Sequence, residues 1–501
     1  MKNNKFIYIA LCSIGFIACE PEFDQPLEGT PIAVQSAGEA DFSNYVSIGN
    51  SLTAGFADGA LYRSGQENSF ANILANQMKT AGGGNFNTPF MTDDIGGFAG
   101  FEDNFGTRLV LQIGADGSRT PVRLSETASN DITATVEGSI NNFGVPGAKS
   151  FHLAFEGYGN PAGIATGMSN PYFARFAQNP NSSVIGDAIA SAPTFFTMWI
   201  GNNDVLSYAT SGGSGILQPT PTTTDFSMIP PPGGDDISNP AYFGGVYSQL
   251  IAGLTSTGAK GVLVNVPDVS TIPFFTTVPF NAIPLDQATA DAANAGFAPY
   301  NGGLQLAFRG GAISAKEAAR RTINFTAGQN AVVILDENLT DITAINAGLL
   351  NIRQATDDDL LVLPASAFLG TPNAANNALI NGVSAPLADK WVLTPEEQKL
   401  LSDATNAYNQ TIKGLTDDNP NIVLLNANKL LKQLANGGLI SEGTKVTSTF
   451  GTGGAFSLDG IHLTPRGNAV ITNELIKVIN KSFNATLQPV DPNRFKTISL
   501  K

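Results

Sequence analysis

A serine suited to nucleophilic attack follows a mostly apolar run early in the chain. Ser51 lies in Gly-Asn-Ser-Leu (residues 49–52), directly after residues 45–48. At the carboxyl end of a parallel strand, a serine lies at the sheet edge that binds ligands and becomes a nucleophile if a base is near. A serine that caps a helix would give the same local pattern. The segment therefore predicts a turn and leaves the role of Ser51 open.

A histidine with a nearby carboxylate stands far along the chain. The sequence has two histidines, and His462 follows Asp459 by three residues, just before the last predicted helix. An aspartate at this distance can orient an imidazole as a general base. The pair could instead bind a metal, or His462 could be a surface residue. No acid partner stands near the other histidine, His152, and we predict a structural role for it.

A metal would need more ligands than the sequence offers around His462. The chain has two cysteines, Cys12 and Cys19, both in its N-terminal segment. The remaining ligands would be carboxylates or water, which disfavours a transition-metal site. We predict neither a metal nor another cofactor.

Two further strand ends offer hydrogen-bond donors. Gly147 closes Asn-Phe-Gly-Val-Pro-Gly (142–147), and Asn203 lies in Gly-Asn-Asn-Asp (201–204). A glycine lets its backbone N–H approach a ligand closely, and a side-chain amide can donate to a developing oxyanion. An ordinary turn, or an N-cap in the second case, explains each segment equally well on its own.

In this order, the four segments resemble the four blocks of the SGNH (GDSL-like) hydrolase superfamily, and the last one resembles that of its large Bacteroidetes lipoproteins. The blocks are a Gly-Asp-Ser-Leu-like segment, a glycine, a Gly-x-Asn-Asp segment and a final Asp-x-x-His. The resemblance implies that Ser51 is the nucleophile and that His462 is the base, oriented by Asp459. It also implies an oxyanion hole formed by the backbone N–H groups of Ser51 and Gly147 and the side-chain amide of Asn203.

The implied reaction is hydrolysis of a carboxylic ester through an acyl-enzyme. A lipid ester is the first expected substrate, because phenylalanine is abundant (31 residues) and apolar stretches such as 271–275 follow strand ends. An acetyl esterase acting on polysaccharide, and a non-catalytic binding lipoprotein with the same fold, are the alternatives. Asn50 stands where the family usually has aspartate, which affects hydrogen bonding behind the serine loop rather than the triad.

The elements that position these residues alternate between strands and helices. Helical patterns cover residues 69–79, 242–256, 394–415 and 464–481, and such alternation indicates an α/β fold with a parallel sheet. The resemblance implies a three-layer α/β/α sandwich on a five-strand parallel sheet, of the flavodoxin-like kind. The five predicted strands are 45–48, 139–143, 194–200, 261–266 and 421–426.

One hydrolase domain, residues 42–485, is predicted to carry three insertions and to precede a C-terminal tail at 486–501. The insertions are expected at 81–137, which contains a hairpin of 109–113 with 122–124, at 211–240 and at 268–392. They show no repeat and no clear linker. A separate second domain within 268–392 is the alternative.

The N-terminus predicts export. Residues 1–18 combine a positive start with a short apolar run, as in a signal peptide, and end before Cys19 in a segment that resembles a lipobox. We expect Cys19 to carry a lipid anchor, residues 19–41 to form a tether, and the lipoprotein to reach the outer membrane or surface of a Gram-negative cell. A plain secretory signal is the alternative.

The charge balance argues against polyanionic partners. Acidic residues outnumber basic ones by 42 to 27, giving a net charge of −15. Nucleic acids and anionic membrane surfaces are bound through basic patches. We therefore expect an ester substrate, either a lipid or an acylated glycan, no nucleic acid, and membrane attachment only through the lipid.

Overall fold

Short buried strands separated by helices build this protein, as the sequence pattern predicts. The computed structural model describes residues 35–115, 117–223, 225, 229 and 231–500. The strands, in chain order, are β1 (Tyr45–Gly49), β2 (Leu109–Ile113), β3 (Arg119–Arg123), β4 (Asn142–Gly144), β5 (Phe195–Trp199), β6 (Lys260–Val264), β7 (Ile283–Leu285), β8 (Gly328–Asn330), β9 (Val333–Leu335), β10 (Ile352–Gln354), β11 (Leu360–Leu361), β12 (Val392–Leu393), β13 (Ile422–Leu425), β14 (Leu439–Ser441) and β15 (Thr444–Val446). The helices are α1 (Ser51–Ala54), α2 (Arg63–Glu67), α3 (Phe70–Lys79), α4 (Pro171–Ala174), α5 (Val184–Ala190), α6 (Asn203–Thr210), α7 (Pro240–Thr255), α8 (Pro273–Thr276), α9 (Gln287–Arg309), α10 (Ala315–Arg321), α11 (Pro395–Asp417), α12 (Ala427–Ala435) and α13 (Pro465–Phe483).

Five strands form one parallel sheet in the order β4-β1-β5-β6-β13. They are the five predicted strands, so the α/β fold with a five-strand parallel sheet is confirmed. The chain adds β4 on one side of β1 and the three later strands on the other. In open sheets of this order, ligands bind at the carboxyl ends of the strands beside this reversal. That edge is where Ser51, Gly147 and Asn203 follow β1, β4 and β5.

Alternate side chains of the sheet pack into two separate cores. Val46, Ile48 and Phe196 face a core shared with α5, α7 and α11. Tyr45 and Phe195 face the opposite core, shared with α3 and α13. Because side chains alternate along a strand, one sheet whose strands are buried on both sides carries helices on both faces.

The two late helices begin where their start signals predict. At α13, the Thr464 side chain accepts a hydrogen bond from the Gly467 N–H at 2.9 Å. At α11, the Thr394 N–H donates to the Glu397 carboxylate at 2.6 Å, which is the glutamate half of a capping box. The Thr464 cap fixes the start of α13, the helix that follows the loop with His462.

The long segment 268–392 has a hydrophobic core of its own. Residues from Val278 to Val392 form this cluster, which includes parts of α9, α10, β9 and β10. The predicted hairpin is present as β2 with β3, which pair antiparallel from Leu109 with Arg123 to Ile113 with Arg119. Among the helices of the described residues, none has the length and apolar character needed to cross a bilayer.

The segment that precedes β1 is held to the C-terminal end of α13 and to the residues that follow it. The Glu39 N–H donates to the Phe483 carbonyl, and the Ser36 N–H donates to the Thr486 hydroxyl oxygen. Residues 36–40 of the predicted tether therefore belong to the folded structure. The predicted signal segment and Cys19 lie outside the described residues, so the lipid anchor stays a prediction.

Candidate active site

Ser51, His462 and Asp459 form one hydrogen-bonded chain. The Nε2 atom of His462 lies 2.9 Å from the Ser51 Oγ, and its Nδ1 atom lies 2.8 Å from Asp459 Oδ2. A base that contacts a hydroxyl on one side and a carboxylate on the other is the arrangement that activates a serine. The structure thus brings together the three residues named from the sequence as the triad.

The serine is positioned by the turn between β1 and α1. The Asn50 side chain accepts a hydrogen bond from the Leu52 N–H at 3.1 Å, so Asn50 is the N-cap of α1. Ser51 is the first helical residue, and its hydroxyl contacts His462 instead of the backbone. The capping role that the sequence left open for Ser51 therefore belongs to Asn50.

The histidine is positioned by a tight loop that precedes α13. Phe456 and Leu463 form an antiparallel bridge that closes the loop. Within it, the Ser457 N–H donates to the His462 carbonyl at 2.8 Å, and the Gly460 N–H donates to the Ser457 carbonyl at 3.0 Å. These bonds fix the loop before Thr464 starts the helix.

The Asp459 carboxylate is heavily hydrogen bonded. Its Oδ1 accepts from the backbone N–H groups of Ile461 and His462 at 2.9 and 2.8 Å and from the Ser457 hydroxyl at 3.0 Å. Its Oδ2 also accepts from the Gly59 N–H at 2.8 Å. Burial alone raises the pKa of this carboxyl, but the charge of His462 and the hydrogen bonds outweigh burial and hold the pKa well below its usual range. Asp459 therefore stays ionised beside the imidazole.

Asp58 is a second buried carboxyl behind the triad, and the sequence reasoning missed it. Its oxygens accept from the Leu458 N–H at 3.0 Å and from the Tyr62 hydroxyl at 2.8 Å. Its own N–H donates to the Ser457 hydroxyl oxygen at 2.9 Å. Burial raises the pKa of Asp58 to about 6. These contacts hold the loop after α1 against the loop that carries Asp459.

The hairpin β2–β3 supports the same place through Arg123. The guanidinium of Arg123 donates to the Gly59 carbonyl at 3.0 Å and also to the Thr107 carbonyl. Because the Gly59 N–H donates to Asp459, the hairpin contributes to the position of the triad acid. Insertion 81–137 is therefore part of the scaffold of the site.

Three candidate oxyanion donors follow three adjacent strands. As the first residue of α1, Ser51 has a backbone N–H without an intrahelical partner. Gly147 has a φ of +81°, a conformation that favours glycine, and its N–H makes no hydrogen bond within the described part of the chain. Asn203 opens α6 and lines the same cavity as Ser51.

The Asn203 amide is held by the loop that carries Gly147. Its Nδ2 donates one hydrogen bond to the Ala148 carbonyl at 2.9 Å, which leaves its second N–H for a ligand. Asp204 fastens the same loop to α6, because its carboxylate accepts from the Ser150 N–H at 2.8 Å and from the Ser150 hydroxyl at 2.7 Å. Burial raises the pKa of Asp204.

An apolar cavity opens at Ser51 and His462. The space inside it is about 830 Å³ when the open solvent at its mouth is included. Its lining includes residues of α12, α13, the hairpin β14–β15 and the loop that precedes α13. Of the predicted lining stretch 271–275, Ile272 lies in the wall and Phe275 is buried in the main core. The apolar side chains that form most of the wall include Leu206, Leu430, Leu431, Leu434, Leu439 and Val470.

Helix α12, which supplies four residues of the cavity lining, was not predicted from the sequence. A signal was present: Asn426 accepts a hydrogen bond from the Lys429 N–H as N-cap, and leucines recur at helical spacing after it. The predicted strand 421–426 ends at this N-cap, and no helix was predicted after it. The leucines concerned are Leu430, Leu431 and Leu434.

His152 has a structural environment. Its Nδ1 accepts a hydrogen bond from the Lys149 N–H at 3.0 Å, and its ring stacks on Tyr158 at 4.6 Å. Burial, with a smaller effect from the charge of Lys149, lowers the pKa of His152 to about 4. These contacts agree with the structural role predicted for it.

No family model, no curated protein and no solved structure matches this chain. The geometry around Ser51 therefore carries the functional argument by itself. That geometry defines the chemical class of site, a serine hydroxyl in contact with a histidine–carboxylate pair at the edge of a parallel sheet.

Proposed function

We propose that this protein is a serine ester hydrolase of the SGNH type. The contact of 2.9 Å between His462 Nε2 and Ser51 Oγ carries the proposal, because a serine hydroxyl needs an adjacent base to become a nucleophile. The order of the strands, with the candidate donors after β4, β1 and β5, supports the same assignment. The resemblance of the four sequence blocks points to the same superfamily.

In the proposed mechanism, His462 Nε2 removes the Ser51 proton while Ser51 Oγ attacks the ester carbonyl. The tetrahedral oxyanion accepts hydrogen bonds from the N–H groups of Ser51 and Gly147 and from the amide of Asn203. His462 then gives its proton to the leaving alcohol oxygen, and the acyl-enzyme remains. A water molecule, deprotonated by His462, attacks the acyl carbon, and the acid leaves as the proton returns to Ser51.

The cavity supports an ester with an extended apolar acyl chain. A wall built mainly of leucine, valine and isoleucine side chains has few polar groups to bind a sugar but buries methylene groups favourably, by about 0.8 kcal/mol for each. This favours a lipolytic activity over removal of acetyl groups from polysaccharide. The acyl part would lie against α12 and α13, with its carbonyl at Ser51.

We also propose that the protein is an exported lipoprotein anchored through Cys19. This rests on the sequence of residues 1–19 alone, namely its positive start, its apolar run and its lipobox-like end. Metabolic labelling with a palmitate analogue tests it, since Cys19→Ala should abolish incorporation of the label and leave the fold intact.

The activity is tested by hydrolysis of p-nitrophenyl esters from acetate to palmitate, with Ser51→Ala beside the unchanged protein. We expect turnover that rises with acyl length beyond acetate and that disappears in the variant. An acetate optimum would favour the polysaccharide deacetylase. A folded protein without activity on any ester would favour the binding lipoprotein.

A further inference from the structure

Three carboxylates from distant parts of the chain meet beside the end of α6, outside the ester site. Glu337, Asp389 and Glu397 each place an oxygen atom within 4.8 Å of the other two. Glu337 follows β9, Asp389 begins a 3-10 helix before β12, and Glu397 lies in the first turn of α11. Glu337 is exposed and Asp389 is half-buried, whereas the Glu397 residue is only 3% exposed.

No arginine or lysine neutralises this cluster within the described part of the chain. The nearby Arg320 pairs instead with Asp336 and Glu396. Lys390 follows one member of the cluster directly, but its ammonium group lies over the Trp391 ring. Like charges brought together in a partly buried place are unfavourable unless protons or a cation compensate them.

Buried oxygens in the cluster also lack hydrogen-bond donors. Glu397 Oε1 and Asp389 Oδ1 are inaccessible to solvent and accept no hydrogen bond from the described residues. The hydroxyl of Thr394, the N-cap residue of α11, is also buried beside Glu397 and makes no hydrogen bond of normal geometry within the described residues. Buried polar atoms are costly when they stay unpaired, so these oxygens indicate a ligand that accepts their lone pairs.

The loop after α6 lies directly against the buried carboxylate. A Cβ atom on Gly213 would lie 2.3 Å from Glu397 Oε1, so only a glycine allows this approach. The ring of Tyr208, on α6, is close enough for the three carboxylates to raise the pKa of its hydroxyl in addition to the larger effect of burial. The cluster therefore joins three segments of the chain to the helix that begins with Asn203.

We propose that Glu337, Asp389 and Glu397 bind a calcium ion. The cluster offers only oxygen atoms, which suits a hard cation and disfavours metals that prefer nitrogen or sulfur. Calcium takes six to eight oxygen ligands in flexible geometry, and three carboxylates can provide up to six. The exposed side at Glu337 leaves room for water to complete the shell. This proposal is independent of the ester hydrolase, and it differs from the sequence-based prediction of no metal.

A shared proton is the competing way to compensate these charges. Burial, together with the neighbouring carboxylates, raises the pKa of Glu397 to about 9 and that of Asp389 to about 7. In the absence of a cation, the cluster would thus hold protons near neutral pH. A bound calcium ion would displace them, so the two cases differ in their response to calcium.

The test is thermal unfolding of the purified full-length chain, first treated with EDTA and then titrated with calcium chloride. We expect the midpoint of unfolding to rise by on the order of a few degrees and to reach a plateau. Isothermal titration calorimetry should give one calcium ion per chain, with magnesium binding more weakly. In Glu397→Gln, calcium should neither bind nor shift the midpoint.

Asp403→Asn is the matched control, since Asp403 lies on the same helix α11, is exposed and pairs only with Lys399 among the described residues. This variant should respond to calcium as the unchanged protein does. If Glu397→Gln does not fold, Glu337→Gln replaces it, because that side chain is exposed. Unfolding midpoints that ignore calcium in both the unchanged protein and Glu397→Gln would overturn the calcium site in favour of a shared proton.

Discussion

The Oγ atom of Ser51 and the Nε2 atom of His462 lie 2.9 Å apart, although 411 residues separate them in the chain. Two independent elements produce this contact, the turn after β1 and the closed loop before α13. Helix α13 packs on α3 in one core layer. This packing fixes the turn after β1 and the loop before α13 on the same side of the sheet. The proposed chemistry therefore depends on the packing of the whole domain.

Asp459→Asn should reduce kcat on a p-nitrophenyl ester by roughly a factor of 10⁴, the size of effect known for the equivalent change in another serine triad. The variant keeps an oxygen for the loop N–H groups but loses the charge that stabilises a protonated His462. Steady-state kinetics measure the loss, and an unchanged unfolding midpoint shows that the loop is intact. A loss of less than about tenfold would remove Asp459 from the triad.

Asn203→Ala should lower kcat by about a hundredfold or more with little change in KM, because the lost donor acts on the oxyanion and not on the ground state. Thr210→Ala is a suitable control, since Thr210 lies on the same helix α6 and, among the described residues, its hydroxyl donates only to carbonyls of that helix. Equal kinetics of the two variants would argue against the amide as a donor.

Leu434→Trp should change the preferred chain length of the ester. The larger ring would fill part of the cavity beside α12, so activity on long acyl esters should fall at least about tenfold while acetate hydrolysis stays within about twofold. Leu400→Trp, at an exposed position of α11, should leave the profile unchanged. If both variants keep the original profile, the acyl chain binds elsewhere.

Asp58→Asn should reduce the pH dependence of stability. The folded-state pKa of Asp58 is raised to about 6, above an unfolded value of about 3.9, so the folded chain binds this proton more tightly. The stability that this proton contributes is complete below pH ~4 and is lost as the pH rises through ~6, by roughly 3 kcal/mol in total.

Asparagine keeps an acceptor for the Leu458 N–H and tolerates the φ of +53° at this position, so Asp58→Asn is expected to fold. Denaturant unfolding at several pH values measures the effect. Relative to the unchanged protein, the variant should gain stability between pH ~4 and ~7, with no further change above that range. Parallel pH curves for the two proteins would contradict the raised pKa of Asp58.

The sequence was sufficient to predict the strand ends because local signals mark them. Apolar runs followed by glycine, asparagine or serine located the three sheet positions of Ser51, Gly147 and Asn203, and the parallel arrangement brings strand ends to one edge. The helix starts at Thr394 and Thr464 were equally local, since a cap and a proline define them.

The support around the triad could not be predicted, because it consists of contacts between distant segments. Asp58 and Leu458 are 400 residues apart, and Asp58 belongs to no motif. Arg123 acts through the Gly59 backbone, for which no sequence pattern exists. The acidic cluster is likewise invisible in the sequence, since its three members come from separate loops and a helix start and share no ligand spacing.

The most direct test of the central claim is covalent labelling with a long-chain alkyl fluorophosphonate, followed by mass spectrometry of the intact chain and its peptides. If Ser51 is the nucleophile activated by His462, one adduct per chain should form on the peptide that contains Ser51. It should be absent in Ser51→Ala and should form far more slowly in His462→Ala. A folded protein that takes up no label, or that carries it on another serine, would contradict the proposed mechanism.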